Sequence, residues 1–181
     1  MVIKRHFKKL ITTTLVGITV LTHINKLSYA QSKNLIFNNI NIEQGISQST
    51  IEAIFQDSEG YIWLGTNDGL NRYNGYEFKH YKHDKYDKNS IANNYIVDII
   101  EDKNGYIWVS TIGGLSRINP DKDEIKNYYS KEDSGNLSNS NLWQILCTKD
   151  NRLIASTIDG LNVYDKNKDK FTRILYKEGE L

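Results

Sequence analysis

Three observations predict an all-β fold. First, three segments align with one another at offsets of 45 and 46 residues: Ser49–Tyr73 (STIEAIFQDSEGYIWLGTNDGLNRY), Asn94–Ile118 (NYIVDIIEDKNGYIWVSTIGGLSRI) and Asn141–Tyr164 (NLWQILCTKDNRLIASTIDGLNVY). Second, 20 asparagines, 12 glycines and 12 tyrosines against one proline suit turns between aromatic-rich strands and fit long helices poorly. Third, no helical 3.6-residue period interrupts the repeat, which excludes leucine-rich and helical solenoids. A repeat of 40–50 residues made only of strands is the signature of β-propeller blades, four-stranded antiparallel sheets arranged about a centre. The 151 residues after position 30 hold roughly 3.3 such periods, so the sequence predicts about three blades of an incomplete propeller.

The first repeat shows the elements in order. Ile51–Gln56 is the first strand, with Ile51, Ala53, Ile54 and Phe55. The tetrad Asp57-Ser58-Glu59-Gly60 is a turn: the Asp side chain can bond its own backbone and Gly60 supplies a positive φ. Tyr61–Thr66 is the second strand. Tyr61, Ile62, Trp63 and Leu64 make it apolar on both sides, which predicts burial on both faces between neighbouring blades. Asn67-Asp68-Gly69 turns the chain into a third strand, Leu70–Tyr73. Asn74-Gly75 is the strongest short hairpin signal, leading to a more polar edge strand around Phe78–Tyr81. The linkers repeat as well, at Ile46-Ser47, Ile91-Ala92 and Leu137-Ser138, giving blades at about 47–90, 91–136 and 137–181.

Before the repeats, Lys4, Arg5, Lys8 and Lys9 precede a 12-residue apolar run, Leu10–Leu21, and the small-x-small triplet Ser28-Tyr29-Ala30. That is the pattern of a cleaved export signal over 1–30, with Gln31 as the new N-terminus. The run is too short for a membrane-spanning helix, which needs about 20 apolar residues. Without the first 30 residues the chain has 18 Lys+Arg against 22 Asp+Glu, a mildly acidic balance that argues against a nucleic-acid partner. A single cysteine, Cys147, excludes an intramolecular disulfide framework and a multi-cysteine zinc site.

The repeated columns read as structural. Trp63 and Trp108, completed by Ile154, are expected to pack between blades. Gly65, Ser110 and Ser156 keep a close approach open. Thr66, Thr111 and Thr157 can cap the following turn, and Gly69, Gly114 and Gly160 need an unusual backbone conformation, as do Gly60 and Gly105. Asp68 and Asp159 share their column with Gly113, so a turn role outweighs a catalytic one. His80, His83 and Asp84 form only a weak metal pattern in a Lys-rich stretch. No nucleophile–base arrangement, paired-carboxylate motif or phosphate loop stands out, so no cofactor or metal is expected and the chain reads as non-enzymatic.

The run QDSEGYIWLGTNDGLNRYNG (Gln56–Gly75) resembles the two-component regulator propeller repeat, and EDKNGYIWVSTIGGLSRI (Glu101–Ile118) matches it nearly as well. The third copy departs, with Asn151, Arg152 and Ile154 in place of glycine and the aromatic pair. NLIFNNINIEQGISQSTI (Asn34–Ile51) resembles the family's usual lead into its first blade. The resemblance implies a large extracytoplasmic sensor, commonly with two seven-bladed propellers, a Tyr-rich immunoglobulin-like domain, a membrane span, and a histidine kinase or diguanylate cyclase inside the cell. It implies extracellular ligands, notably oligosaccharides, and further blades as partners in a membrane-anchored parent protein. None of the output motifs occurs in these 181 residues. The expected function is therefore an exported, ligand-sensing propeller module. The alternatives are a secreted lectin-like or scaffold protein and, behind it, a propeller lyase or glycosidase. The ligand and its binding residues are not legible, because the loops differ between blades.

Overall fold

The computed structural model describes residues 38–130 and 137–174. The export signal expected over 1–30 and the residues after 174 lie outside the described residues. Twelve strands form three four-stranded antiparallel sheets. The first holds β1 (Ile51–Gln56), β2 (Ile62–Thr66), β3 (Gly69–Tyr73) and β4 (Phe78–Tyr81). The second holds β5 (Ile96–Glu101), β6 (Ile107–Thr111), β7 (Gly114–Asn119) and β8 (Glu124–Tyr128). The third holds β9 (Leu142–Cys147), β10 (Leu153–Thr157), β11 (Gly160–Asp165) and β12 (Lys170–Ile174). Strand order follows the sequence in every sheet. β1 neighbours β5 and β5 neighbours β9, so the first strands line the inside of an open arc and β4, β8 and β12 form its outer edges. This is the propeller arrangement, left unclosed by three blades.

Each blade has a trailing face, turned toward the next blade in sequence, and a leading face, turned toward the one before. Trp63, Leu70 and Tyr81 on the trailing face of blade 1 share a buried cluster with Ile96, Ile99, Ile107, Val109 and Ile118 on the leading face of blade 2. Trp108, Leu115 and Tyr128 meet Leu142, Ile145, Leu153, Ala155 and Phe171 of blade 3 in the same way. Burying each Leu or Ile contributes roughly 1.5–3 kcal/mol. Gly65 is needed at its column because a Cβ there would stand 2.5 Å from Ile96 Cγ2 of the next blade.

Three sequence expectations are corrected. β2 starts at Ile62 rather than Tyr61, because the Tyr61 carbonyl and amide are both spent on the preceding turn, bonded to Asp57 N (3.0 Å) and Asp57 Oδ1 (2.8 Å). β3 starts at Gly69 rather than Leu70, since Gly69 already pairs with Thr66. The Asn74-Gly75 turn falls between β3 and β4 as expected. Tyr73 pairs with Phe78, leaving four residues between, and Asn74 Oδ1 accepts from the amides of Tyr76 (2.8 Å) and Glu77 (2.9 Å) to close the loop. Finally, burial on both faces holds for β6, where all five residues are buried, but not for β2 or β10, whose alternate residues are partly exposed. Only the middle blade has a described neighbour on each side.

Candidate functional site

The repeated columns assemble into two local constellations. In the first, Asp57 accepts from Trp63 Nε1 at 2.7 Å with one carboxylate oxygen and from the amides of Glu59 (3.1 Å) and Tyr61 (2.8 Å) with the other. Gly60, at φ 92°, completes the turn. Blade 2 repeats this with Asp102, Gly105 (φ 79°) and Trp108, whose indole donates to Asp102 at 2.9 Å. Both indoles are fully buried. Blade 3 loses the pair as a unit: Thr148 stands for the aspartate, Asn151 at φ 64° for the glycine and Ile154 for the tryptophan. The Thr148 hydroxyl accepts from the Arg152 amide at 2.9 Å, so the turn survives without an indole to hold.

In the second constellation a threonine hydroxyl bridges the turn that follows its strand. Thr66 Oγ1 donates to Gly69 O (2.8 Å) and accepts from Asp68 N (3.0 Å). Thr111 does the same with Gly114 O (2.6 Å) and Gly113 N (3.1 Å), and Thr157 with Gly160 O (3.1 Å) and Asp159 N (3.2 Å). The three glycines sit at φ 108°, 150° and 119°. Sequence reasoning missed what anchors this corner to the linker. Buried Asn71 accepts from the Ser47 amide (2.9 Å) and Asn162 from the Ser138 amide (2.8 Å). In blade 2 Ser116 takes that place, accepting from Ala92 N at 2.9 Å. The signal was available, since Ser47, Ala92 and Ser138 already shared a column.

An arginine column was also overlooked. Arg72 lies over the Tyr61 ring, its Cζ 3.6 Å from the centroid, and Arg117 lies over Tyr106 at 4.9 Å. Arg117 reaches into blade 3, donating to Tyr164 Oη at 2.6 Å and Asp169 Oδ1 at 3.1 Å. Asp169 also accepts from Tyr128 Oη (2.6 Å), Tyr164 and Lys126. Desolvation pushes the Asp169 carboxyl up, but hydrogen bonds from Lys126, Tyr128 and Tyr164 and the charge of Arg117 outweigh it and hold the group well below the usual carboxylate range. Burial first, then the bond to the Asp169 carboxylate, drives the Tyr128 phenol far above its ordinary value. Beside this network, a cleft of about 460 Å³ opens between blades 2 and 3, lined by Asn104, Tyr106, Arg117, Arg152, Tyr164 and Lys166 among others. Tyrosines beside guanidinium and amide donors suit a polar small molecule held by hydrogen bonds.

The remaining candidates are engaged elsewhere. His80 Nδ1 is 2.9 Å from Asn71 Oδ1 and His83 Nδ1 is 2.8 Å from Ile91 O. Among the described residues no group of three His, Cys, Asp or Glu is placed to hold a metal ion. Asp68 pairs with Lys82 at 2.7 Å, and Asp159 accepts from Asn139 at 2.8 Å. Cys147 is half-buried, and burial, then the Asp102 charge, raises its thiol pKa.

A family model described as a two component regulator propeller matches residues 45–68 and 90–113. The chain carries two-component regulator propeller repeats. Each matched span runs from the linker before a blade to the turn after its second strand, so it contains the Asp–Trp unit and the capping threonine. A histidine kinase of Formosa agariphila is 41% identical over 63 residues, which are 35% of this chain and 5% of that protein. The extracellular domain of a hybrid two component system from B. thetaiotaomicron superposes with a TM-score of 0.70 at 27% identity, over 79% of this chain and 20% of that one. Virginiamycin B lyase from Staphylococcus aureus superposes with a TM-score of 0.54 at 17% identity, over 75% of this chain and 44% of the lyase, a likeness of fold alone. The propeller repeats thus span about a twentieth of the kinase and a fifth of the B. thetaiotaomicron chain. No described helix is long and apolar enough to cross a membrane.

Proposed function

We propose that this chain is the extracytoplasmic, ligand-sensing propeller part of a two-component signalling receptor. The observation that carries the reading is the superposition on the extracellular domain of a hybrid two component system, at a TM-score of 0.70, together with two regulator-propeller matches that fall on blades 1 and 2. On this reading residues 1–30 direct export and are removed after Ala30, and the blades occupy about 47–90, 91–136 and 137–181. Trp63, Trp108, Gly65, the threonine column and the turn glycines are structural. On this reading the chain itself performs no catalysis: the two carboxylates that line the cleft are held in turns, Asp102 by the Trp108 indole at 2.9 Å and Asp165 by the amides of Asn167 (3.0 Å) and Lys168 (3.2 Å), which suits packing rather than proton transfer. The output domain, a kinase or cyclase, belongs to the parent protein.

The proposed ligand is an extracellular oligosaccharide, taken up in the cleft between blades 2 and 3. Tyr106 and Tyr164 line the cleft beside Arg117, and Asn104, held by Lys166 Nζ at 3.0 Å, offers an amide at the rim. The test is calorimetric titration of the exported chain with a panel of neutral and acidic oligosaccharides. At least one should bind, and Asn104→Ala should weaken it roughly tenfold while leaving the melting temperature unchanged, because Asn104 is exposed. Binding that is indifferent to Asn104→Ala would move the site elsewhere, and no binding across the panel would overturn the oligosaccharide reading.

A further inference from the structure

Two inter-blade clefts are built from the same turn positions, and they differ in charge. Besides the cleft between blades 2 and 3, a smaller one of about 150 Å³ opens between blades 1 and 2. Four carboxylates line the smaller cleft, Asp57, Glu59, Glu101 and Asp121, against one cation, Arg72. Two carboxylates line the larger, Asp102 and Asp165, against three cations, Arg117, Arg152 and Lys166. The formal charge of the lining thus moves from −3 to +1. The repeat offsets of 45 and 46 residues show where the change arises. Asn104 stands where Glu59 does, Cys147 where Glu101 does and Asn167 where Asp121 does, so three carboxylates are gone. Arg152 stands where Tyr106 does and Lys166 where Pro120 does, so two cations are gained. Asp165 in place of Asn119 is the one change in the opposite sense. Arg152 belongs to the stretch in which the third copy leaves the pattern of the other two.

The carboxylates of the larger cleft are occupied within the protein, whereas two of its cations are held only weakly. Asp102 accepts from the Trp108 indole and from the amides of Asn104 (2.8 Å) and Tyr106 (3.3 Å). Asp165 accepts from the amides of Asn167 and Lys168 and pairs with Lys168 Nζ at 3.3 Å. Arg117 is matched by Asp169 at 3.1 Å. Arg152 meets Asp150 through Nε at 2.8 Å, which leaves its terminal nitrogens for a ligand. That pair is 66% and 62% exposed, and an ion pair so open to water is readily displaced. Lys166 Nζ reaches from blade 3 to the neutral amide oxygen of Asn104 in blade 2 and meets no carboxylate among the described residues. A guanidinium and an ammonium on one cleft bind a carboxylate or a sulfate ester in preference to a neutral hydroxyl, because charge-assisted bonds are the stronger ones.

We infer that the ligand of the cleft between blades 2 and 3 is an acidic oligosaccharide, held through a carboxylate or sulfate group by Arg152 and Lys166. The inference rests on the reading of this cleft as a sugar site and adds the charge of the sugar. The cleft between blades 1 and 2, with its surplus of carboxylates, repels the same ligand, so the anion is directed to one of two related clefts. Arg152 and Lys166 are both exposed, so they can take up the anion without a change in the fold.

The test is calorimetric titration of the full chain's exported product with matched pairs of probes: tetragalacturonate beside its methyl ester, and sulfated cellotetraose beside cellotetraose. At least one acidic member should bind roughly tenfold or more tightly than its neutral partner. Its affinity should fall as NaCl is raised from about 0.05 M to about 0.2 M, because the rim charges are screened. The stronger of the two acidic probes tells carboxylate from sulfate recognition. Arg152→Tyr, which installs the blade 2 residue, and Lys166→Gln should each weaken the acidic probe roughly tenfold and narrow its advantage over the neutral one. Both side chains are exposed, so the melting temperature should stay where it is. Lys85→Gln removes the same charge from the linker before blade 2 and should change nothing. A neutral probe that binds as tightly as its acidic partner overturns the inference and leaves the cleft as a site for neutral sugar. An acidic preference that survives both Arg152→Tyr and Lys166→Gln also overturns it, by placing the charge recognition elsewhere. Absence of binding by all four probes overturns the inference together with the sugar reading beneath it.

Discussion

Replacing Asp57 by Thr and Trp63 by Ile, singly and together, transplants the Thr148–Ile154 pair of blade 3 into blade 1. The Asp57 carboxylate takes the buried Trp63 indole proton at 2.7 Å and two backbone amides besides. Asp57→Thr keeps a hydroxyl that can hold one amide, as Thr148 does for Arg152, but leaves the indole N–H without an acceptor. That should cost about 2–3 kcal/mol. Trp63→Ile removes a fully buried ring from the blade 1–2 interface and leaves a carboxylate oxygen without its donor, about 4–5 kcal/mol together. In the double variant neither orphan exists, so the loss should fall short of the sum by about 2 kcal/mol. Urea unfolding followed by far-UV circular dichroism, with an excluded osmolyte to keep the weaker variants folded, measures all four corners of the cycle. Additivity within about 0.5 kcal/mol would refute the claim that the two residues are lost in blade 3 because they work as one unit.

Gly65→Val should destabilise the arc by about 1–3 kcal/mol, because its Cβ has no room against Ile96 of the next blade; chemical denaturation that finds it neutral would mean the blades are not in contact there. Thr111→Val keeps the shape and removes the bonds to Gly114 O and Gly113 N, which should cost about 1–2 kcal/mol in the same assay. Asp169 has a folded-state pKa below its unfolded value, so its contribution is complete above about pH 4 and fades as the solution is acidified below that; Asp169→Asn should flatten that part of the stability–pH curve, and an unchanged curve would contradict the network. Tyr128 is raised, so its contribution is complete below about pH 10 and is lost as pH climbs further; Tyr128→Phe should blunt alkaline unfolding seen by circular dichroism.

The strand positions were legible because alternation, turn glycines and a 45-residue period all point the same way. β1 and β4 fall at the limits expected from the residues, Ile51–Gln56 and Phe78–Tyr81. The errors lie where a side chain competes with the backbone. Tyr61 reads as strand but is drawn into the turn by Asp57, whose carboxylate takes its amide. Burial on both faces was inferred from one repeat alone, whereas it depends on how many neighbours a blade has, which no single repeat encodes. The Arg117–Asp169 network and the cleft beside it were hidden for a different reason. Asp169 lies 52 positions from Arg117 in a turn whose length changes between repeats, so column comparison alone does not bring them together.

Everything here depends on consecutive blades stacking face to face with the repeat tryptophan sealed between them. A variant keeping Trp108 alone, with Trp63 and Trp143 replaced by Phe, reads that interface directly by fluorescence. The account predicts blue-shifted emission that acrylamide barely quenches until urea separates the blades, since Trp108 is fully buried against Phe171, Tyr128 and Tyr164. Water-like emission, quenched freely in the folded protein, would contradict it.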